Sequence, residues 1–417
     1  VKTLMLDSVV YILMGGLALT LQVFTNNKFV GYALLIVVLV AQGVLDTLDF
    51  THNLYNFGSW PIAPYSDMNG YGHFLTGQLA FQGYWLLLLL ALLLLSAALW
   101  VRGVGGGVRQ RVALAKQRLH GRLGIATALA FTAFAAVGGW LFWNTNVRNE
   151  FVSPDQQLDL QARYEREYGK YKHLPQPKIL AVSTHVDLRP ETQTMRVQGV
   201  YRVQNPYHNA IADIHVQMVD DKALASIDLG GARLLRHDGP IGYRIYRLDR
   251  PMQPGEQRDI RFDLDFHSNG ISNQVAQQQI VANGTFVNSQ MLPGFGYEPR
   301  AQISDRNERR KRGLGEPTRM PKLENQAARA STYLTDDADW IAFKTTVCTA
   351  PDQIALAPGL LQREYRRDGR RCFDYAMQQP MLNFHATLSA RWAVKKGVNR
   401  NAARRAVPLE VYYAPNH

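Results

Sequence analysis

The chain has 417 residues, with 46 Lys and Arg against 34 Asp and Glu, and a formal charge of +12. That length holds two or three domains. No nucleic-acid-module pattern is present, which sets that class of partner aside. The basic balance reads as solvated loops plus positives beside membrane spans, with attraction to anionic lipid headgroups as the functional alternative. The charge is unevenly placed, +4 over residues 1–147 and +8 over the rest.

Four runs are apolar enough to cross a bilayer: residues 8–24, 29–45, 79–101 and 123–143. About 20 apolar residues at ~1.5 Å each span the hydrocarbon core. The first two runs hold 17 residues each, the short limit for spanning. A buried helix of a soluble domain is the plainer alternative for either one, but four such runs in one region fit a membrane region better. The last run closes in Trp140, Phe142 and Trp143, and Trp gathers at the membrane–water interface.

Basic loops orient the spans. The first link carries Lys28. The second, residues 46–80, has three Asp and no Lys or Arg. The third carries Arg102, Arg109, Arg111, Lys116, Arg118 and Arg122 and no acid. The links thus alternate inside, outside, inside. This places Val1 and everything from residue 148 onward outside the cytoplasm and calls for an odd number of further spans upstream. With Val1 at its start, no signal-peptide pattern and a strand-like run at its end, the chain is expected to be a piece of a longer protein. The glycine patch 103–107 lacks the lysine of a phosphate loop and reads as a turn.

The outer loop, residues 57–74, is aromatic, broken by Gly and Pro, and nearly uncharged. Such a segment suits an interfacial or re-entrant excursion packed against protein. Asp67 and His73 within it are candidates for a proton or ligand site, against a capped turn for Asp67 and an interfacial role for His73.

Ser153-Pro154-Asp155-Gln156 starts a helix, with Ser as N-cap, Pro first and Gln third. It should run to about Tyr171 with an apolar and aromatic stripe of Leu158, Leu160, Tyr164, Tyr168 and Tyr171. Asp159 and Arg163 stand four apart and should pair. Residues 148–174 read as a helical stalk, with a partner-binding helix as the alternative. Strand patterns follow at residues 179–188, 195–203, 211–218, 243–248, 260–266, 341–348, 370–377, 386–394 and 409–413. They imply an antiparallel all-β domain of hairpins with one wet face. The basic segment 305–322 reads as an exposed loop.

The two cysteines, Cys348 and Cys372, both fall in strand-like runs. An oxidising compartment would permit a disulfide, and two buried free thiols are the alternative. None of the 11 His is followed by Glu, so no H-E-x-x-H zinc helix exists, and no C-x-x-C or G-x-S-x-G either. His185, His208, His215, His237 and His267 read as surface or capped residues. Asn283-Gly284-Thr285 fits a glycosylation acceptor pattern and reads as a turn. The residues themselves define no catalytic constellation.

Several stretches nevertheless resemble a known family. They are residues 65–73 (Tyr-Ser-Asp-Met-Asn-Gly-Tyr-Gly-His), 164–168 leading to 175–179, and 283–286 with 292–297 (Leu-Pro-Gly-Phe-Gly-Tyr). Residues 337–340, 350–359 and 369–373 add to them. Over most of its length the chain resembles bacterial proteins that fuse an ABC-type permease region to a membrane alanyl aminopeptidase-like, zinc gluzincin domain. The resemblance implies a permease-like region of about four transmembrane helices (1–147), the helical stalk (148–174), and an antiparallel β-saddle or sandwich-like extracytoplasmic domain (175–417). It implies a thermolysin-like catalytic domain after the saddle, bearing H-E-x-x-H, a downstream Glu and a Gly-x-Met-Glu-Asn loop. None of these is in this sequence, so no catalytic or metal residue carries over, and zinc belongs to that further domain. Implied partners are the lipid bilayer, an ABC nucleotide-binding subunit and, for the whole protein, a peptide substrate. The implied location is the bacterial inner membrane, multi-pass, with the β domain periplasmic. A permease subunit whose outer β domain binds substrate or a partner without catalysis is the rival reading.

Overall fold

The computed structural model describes residues 2–101, 107–268, 270–274, 279–317, 322–326, 340–400 and 406–415. Residues 103–106 of the glycine patch, 318–321 of the basic segment and 337–339 of the family-like stretches lie outside the described residues. The chain divides into two compact units. One comprises Val1–Pro64, His73–Asp155 and Asn269–Ala276, the other Tyr65–Gly72, Gln156–Ser268 and Gln277–His417.

The first unit is helical: α1 (Lys2–Thr25), α2 (Lys28–Thr47), α3 (Phe74–Leu99), α4 (Val108–Leu119) and α5 (Arg122–Phe142). Helix α5 runs on as a π-helical segment, Trp143–Arg148. Leu4–Thr25, Lys28–Thr47, Phe74–Leu99 and Arg122–Arg148, of 22, 20, 26 and 27 residues, are long and apolar enough to cross a membrane. Each helix is longer than its apolar run because helix geometry tolerates polar ends; α3, for example, takes in Thr76, Gly77 and Gln78. Helix α3 is the hub. Its Phe81, Tyr84, Trp85 and Leu89 form the core with Leu13 of α1 and Leu141 of α5. A Cβ on Gly138 would stand 2.9 Å from the Tyr84 ring, and one on Gly16 would strike Leu89. Small residues at these two places let the helices close on α3.

The outer loop has no regular element over residues 57–64. Helix side chains satisfy its backbone instead. Gln42 Nε2 donates to Phe57 O at 2.6 Å, Trp85 Nε1 to Ser59 O at 3.0 Å, and Ala63 N donates to Gln78 Oε1 at 2.9 Å. Buried irregular backbone calls for such partners.

Residues 149–153 belong to no helix or strand. Helix α6 (Pro154–Tyr168) then begins. The second unit carries β1 (Lys178–Arg189), β2 (Thr194–Gln204), β3 (Ile211–Gln217), β4 (Leu224–Asp228), β5 (Ala232–Asp238), β6 (Tyr243–Met252), β7 (Gln257–Phe266), β8 (Thr285–Asn288) and β9 (Gly294–Phe295). After the short α7 (Arg306–Lys311) come β10 (Trp340–Thr349), β11 (Ile354–Leu356), β12 (Leu360–Arg367), β13 (Arg370–Ala376), β14 (Met381–Leu382), β15 (Ala386–Ala390), β16 (Ala393–Arg400) and β17 (Ala406–Tyr413).

The main sheet runs β12-β13-β10-β1-β2-β7-β4, with β14 on β10; β5-β6-β3-β9, β11-β15-β8 and β16-β17 make three smaller sheets. The expected all-antiparallel pattern is corrected at one seam. Strands β1 and β10 pair in parallel, from Ala181↔Ala342 to Asp187↔Cys348. A parallel pair needs a long crossover, and the chain from β2 to β9 supplies it. Alternation buries Val182, Val186, Val197, Val203, Leu264, Val347 and Phe373 in one core. Gly199 lies where a Cβ would strike the Phe262 ring, so the ring covers the backbone of β2.

Two further expectations change. The basic segment 305–322 is not all loop: Asp305 caps α7 by accepting from Asn307 N and Glu308 N, and Arg309 is buried. Asp159 does not pair with Arg163. It receives Arg312 Nε at 2.7 Å, and Arg163 reaches Asp238 at 2.6 Å. Ser153 donates to Asp49 Oδ2, and Asp49 Oδ1 accepts from Asp155 N at 3.2 Å. A residue about 100 positions upstream thus joins in capping α6.

Candidate functional site

Asp67 and His73 fall in different units. Asp67 lies in a tight turn closed by Ser66 N to Gly70 O at 2.9 Å. His73 precedes α3 but makes no side-chain cap. Its ring lies 4.0 Å from that of Phe74, and neither buried ring nitrogen has a hydrogen-bond partner among the described residues. Burial pushes its pKa below the usual imidazole value, which favours the neutral ring. Cys348 and Cys372 sit opposite each other in the β10–β13 register and are joined as a disulfide, Cα to Cα 4.0 Å. The Asn283 amide is fully engaged: Nδ2 donates to Met68 O at 2.6 Å, and Oδ1 accepts from Arg391 N at 2.8 Å. That suits the turn and not a glycan acceptor.

The second unit holds a groove of about 520 Å³, within the size range of small-ligand sites. Sequence reading missed it, because its walls come from five separate stretches. Lys172, His173 and Lys178 enter from the end of the α6 region and the start of β1. Tyr201 and Gln217 come from β2 and β3. Ser289 and Gln290 follow β8, and Leu292 to Ala301 form one wall. Phe384 closes the far side. Glu298 is the only acid in the lining among the described residues, and it is tied to Arg300 at 3.3 Å. The lining is thus aromatic, aliphatic and net basic. The one signal available beforehand was the Leu-Pro-Gly-Phe-Gly-Tyr run, whose glycines and proline foretell an irregular wall.

The floor is held by hydrogen bonds. Glu298 N donates to Tyr164 Oη at 2.7 Å, and Tyr164 donates to Gln217 Oε1 at 3.1 Å. Gln176 Oε1 accepts from His215 N at 2.8 Å, and Gly296 N donates to His215 O at 2.9 Å. Gly296 has φ +87°, and a Cβ there would stand 3.1 Å from Gln176, so glycine suits both the backbone and the close approach. Beneath lies a ring cluster. Tyr164 stacks on Tyr297 at 4.7 Å and 1°, and Tyr168 lies 4.2 Å from Tyr243. Burial pushes the phenols of Tyr164, Tyr168 and Tyr243 up, so all stay protonated. His215 Nδ1 meets Tyr243 Oη at 2.9 Å, and burial holds its pKa down at about 4. His385, next to Phe384, is likewise held at about 4 by burial, and its Nε2 has no hydrogen-bond partner among the described residues. Such neutral, buried groups stiffen the floor of the groove.

The donor set does not fit zinc. Among the described residues no three His, Cys, Asp or Glu converge on a point that could hold a metal ion.

No family model matches the chain, and no curated protein matches it. Solved structures do overlap part of it. A two-domain M1 zinc metallopeptidase bound to L-tryptophan aligns over 58% of this chain and 48% of its own, at 13% identity and TM-score 0.36. The M1 zinc metallopeptidase from Deinococcus radiodurans aligns over 60% and 51%, at 12% identity and TM-score 0.36. Aminopeptidase A of Legionella pneumophila, in complex with aspartic acid, aligns over 60% and 25%, at 12% identity and TM-score 0.36. The chain spans about half the length of the first of these. Overlap this loose assigns no chemistry.

Proposed function

We propose that this chain is the membrane-anchored portion of a bacterial permease–aminopeptidase fusion, with its β unit on the extracytoplasmic side supporting a zinc peptidase domain carried elsewhere in the whole protein. One observation carries the anchoring: four helices of 20 to 27 residues that leave large apolar side chains bare. Tyr11, Ile36, Val37, Ile125 and Leu129 are each more than half exposed. Contiguous bare apolar surface on this scale needs a cover, and lipid tails suit it. The basic link between the third and fourth spans supports the orientation, and the Cys348–Cys372 bridge fits an oxidising compartment. The peptidase part rests on the sequence motifs that resemble the family.

Two experiments test this reading. Alkaline carbonate should leave the chain in the membrane pellet; release into the supernatant would sink the anchoring. Reading the parent gene past His417 should reveal H-E-x-x-H; a long open frame without it would sink the peptidase part. With zinc added, these 417 residues alone should hydrolyse no aminoacyl reporter, because the sequence lacks that motif.

The groove favours a second reading, a permease subunit whose β unit binds a solute or partner without catalysis. Co-purification of a nucleotide-binding subunit with the chain would favour it.

A further inference from the structure

Helix α4 carries Arg109, Arg111, Lys116 and Arg118 and no acid. Its four cations divide into two pairs with different tasks. Arg111 is buried and turned inward. Its guanidinium donates to Val23 O, to Phe24 O at 3.4 Å and to Leu99 O at 3.4 Å. Arg118 Nη1 donates to Ala98 O at 3.1 Å and to Trp100 O at 2.6 Å. These acceptors are terminal carbonyls of α1 and α3, which have no partner inside their own helices. The two arginines therefore fix α4 against the ends of two candidate spans.

That attachment sets the level of α4. If α1 and α3 cross a bilayer, their ends mark the headgroup boundary, and α4 lies along it. The outward face of α4 carries Arg109 and Lys116, seven residues apart and both exposed. Exposed Val112 lies between them, and half-exposed Trp100, whose carbonyl Arg118 holds, caps α3. Cations flanking an exposed apolar side chain, on a helix whose neighbour ends in a half-exposed Trp, match the headgroup zone. Arg122 follows shortly after, and no acid lies between Val108 and Arg122, so the segment itself supplies no neutralising charge.

We infer that the Arg109–Lys116 face of α4 binds the phosphate of anionic lipid headgroups, selecting anionic over zwitterionic lipid at the end of the third span. The inference rests on the membrane-anchored reading. Each cation near a charged surface is worth ~1 kcal/mol, so the pair corresponds to a preference of about thirtyfold.

The test uses the full chain in vesicles of phosphatidylcholine with a minor share of phosphatidylglycerol. Lipids retained on the extracted protein are counted by native mass spectrometry. The chain should keep phosphatidylglycerol over phosphatidylcholine, and 0.5 M salt should weaken that preference. The double variant Arg109→Gln/Lys116→Gln should lose about thirtyfold of the preference while its melting temperature holds. A wild-type chain with no preference, or a variant that keeps it, would overturn the inference while the anchoring stands. So would a variant whose only loss is capture of an acidic soluble protein. A chain that carbonate strips from the vesicles would overturn both.

Discussion

Arg309 and Glu165 meet with side chains 7% and 8% exposed, at 2.8 Å. Arg309 also donates to Ile303 O at 2.7 Å and Gly315 O at 2.6 Å, and Glu165 accepts from Ile303 N at 2.8 Å. Removing one partner of a buried pair leaves an uncompensated charge. Arg309→Ala should therefore destabilise the β unit by ~3–5 kcal/mol, read as a lower denaturant midpoint for the solubilised chain. The joint change Glu165→Leu/Arg309→Met should cost much less. A small effect of Arg309→Ala would show that the pair is solvated. The buried histidines give a second demand at this scale. His215 and His385 are held near pKa 4 in the fold against 6.5 otherwise. The folded state thus binds fewer protons than the unfolded chain below pH 6.5. Their contribution is unaffected above that value and is eroded as the pH falls toward about 4, by roughly 3 kcal/mol each. His385→Phe should flatten that acid limb by about half; an unchanged slope would contradict the assignment.

At the scale of elements, two fastenings matter most. Helix α4 is tied to α1 and α3 through Arg111, so Arg111→Ala should strip donors from buried carbonyls and destabilise the helical unit by ~1–3 kcal/mol. Thermal melting in detergent would show it, and an unchanged melt would mean water replaces the guanidinium. Strands β10 and β13 are tied by a disulfide spanning 24 residues. Cys348→Ser/Cys372→Ser should cost ~2–4 kcal/mol. The untreated chain should take up no alkylating reagent, and the reduced chain two equivalents; two without reduction would deny the bridge. These elements also show what the sequence disclosed. The four long apolar helices were legible because an unbroken apolar run of that length leaves few other readings. Strands such as 341–348 and 370–377 were legible by alternation. Edge strands β4, β5 and β12 escaped because their side chains are largely exposed and alternate weakly. The parallel β1–β10 seam escaped because register across some 160 residues leaves no local mark. Helix α7 escaped because a run of arginines looks solvated until Glu165 is seen to receive one. The groove escaped for the same reason, its walls being gathered by topology.

For the molecule as a whole, the helical unit and the β unit make opposite demands on solvent. The first leaves many aliphatic side chains of its long helices bare, and the second gathers a large buried core between its strands, with a smaller tyrosine cluster beside it. Lipid around the first unit and water around the second would meet both demands, as the proposed anchoring expects. The proposed side of the membrane rests on the basic link, which α4 presents at the ends of α1 and α3.

The central claim is a bilayer-spanning unit with the β unit outside the cytoplasm. With both native cysteines joined, single introduced thiols report the side directly. Val398→Cys lies on an exposed strand of the β unit, and Lys116→Cys on the exposed face of α4. A membrane-impermeant maleimide applied to intact spheroplasts should label Val398→Cys at once and Lys116→Cys only after lysis. Labelling in the opposite order, or of both before lysis, would contradict the account.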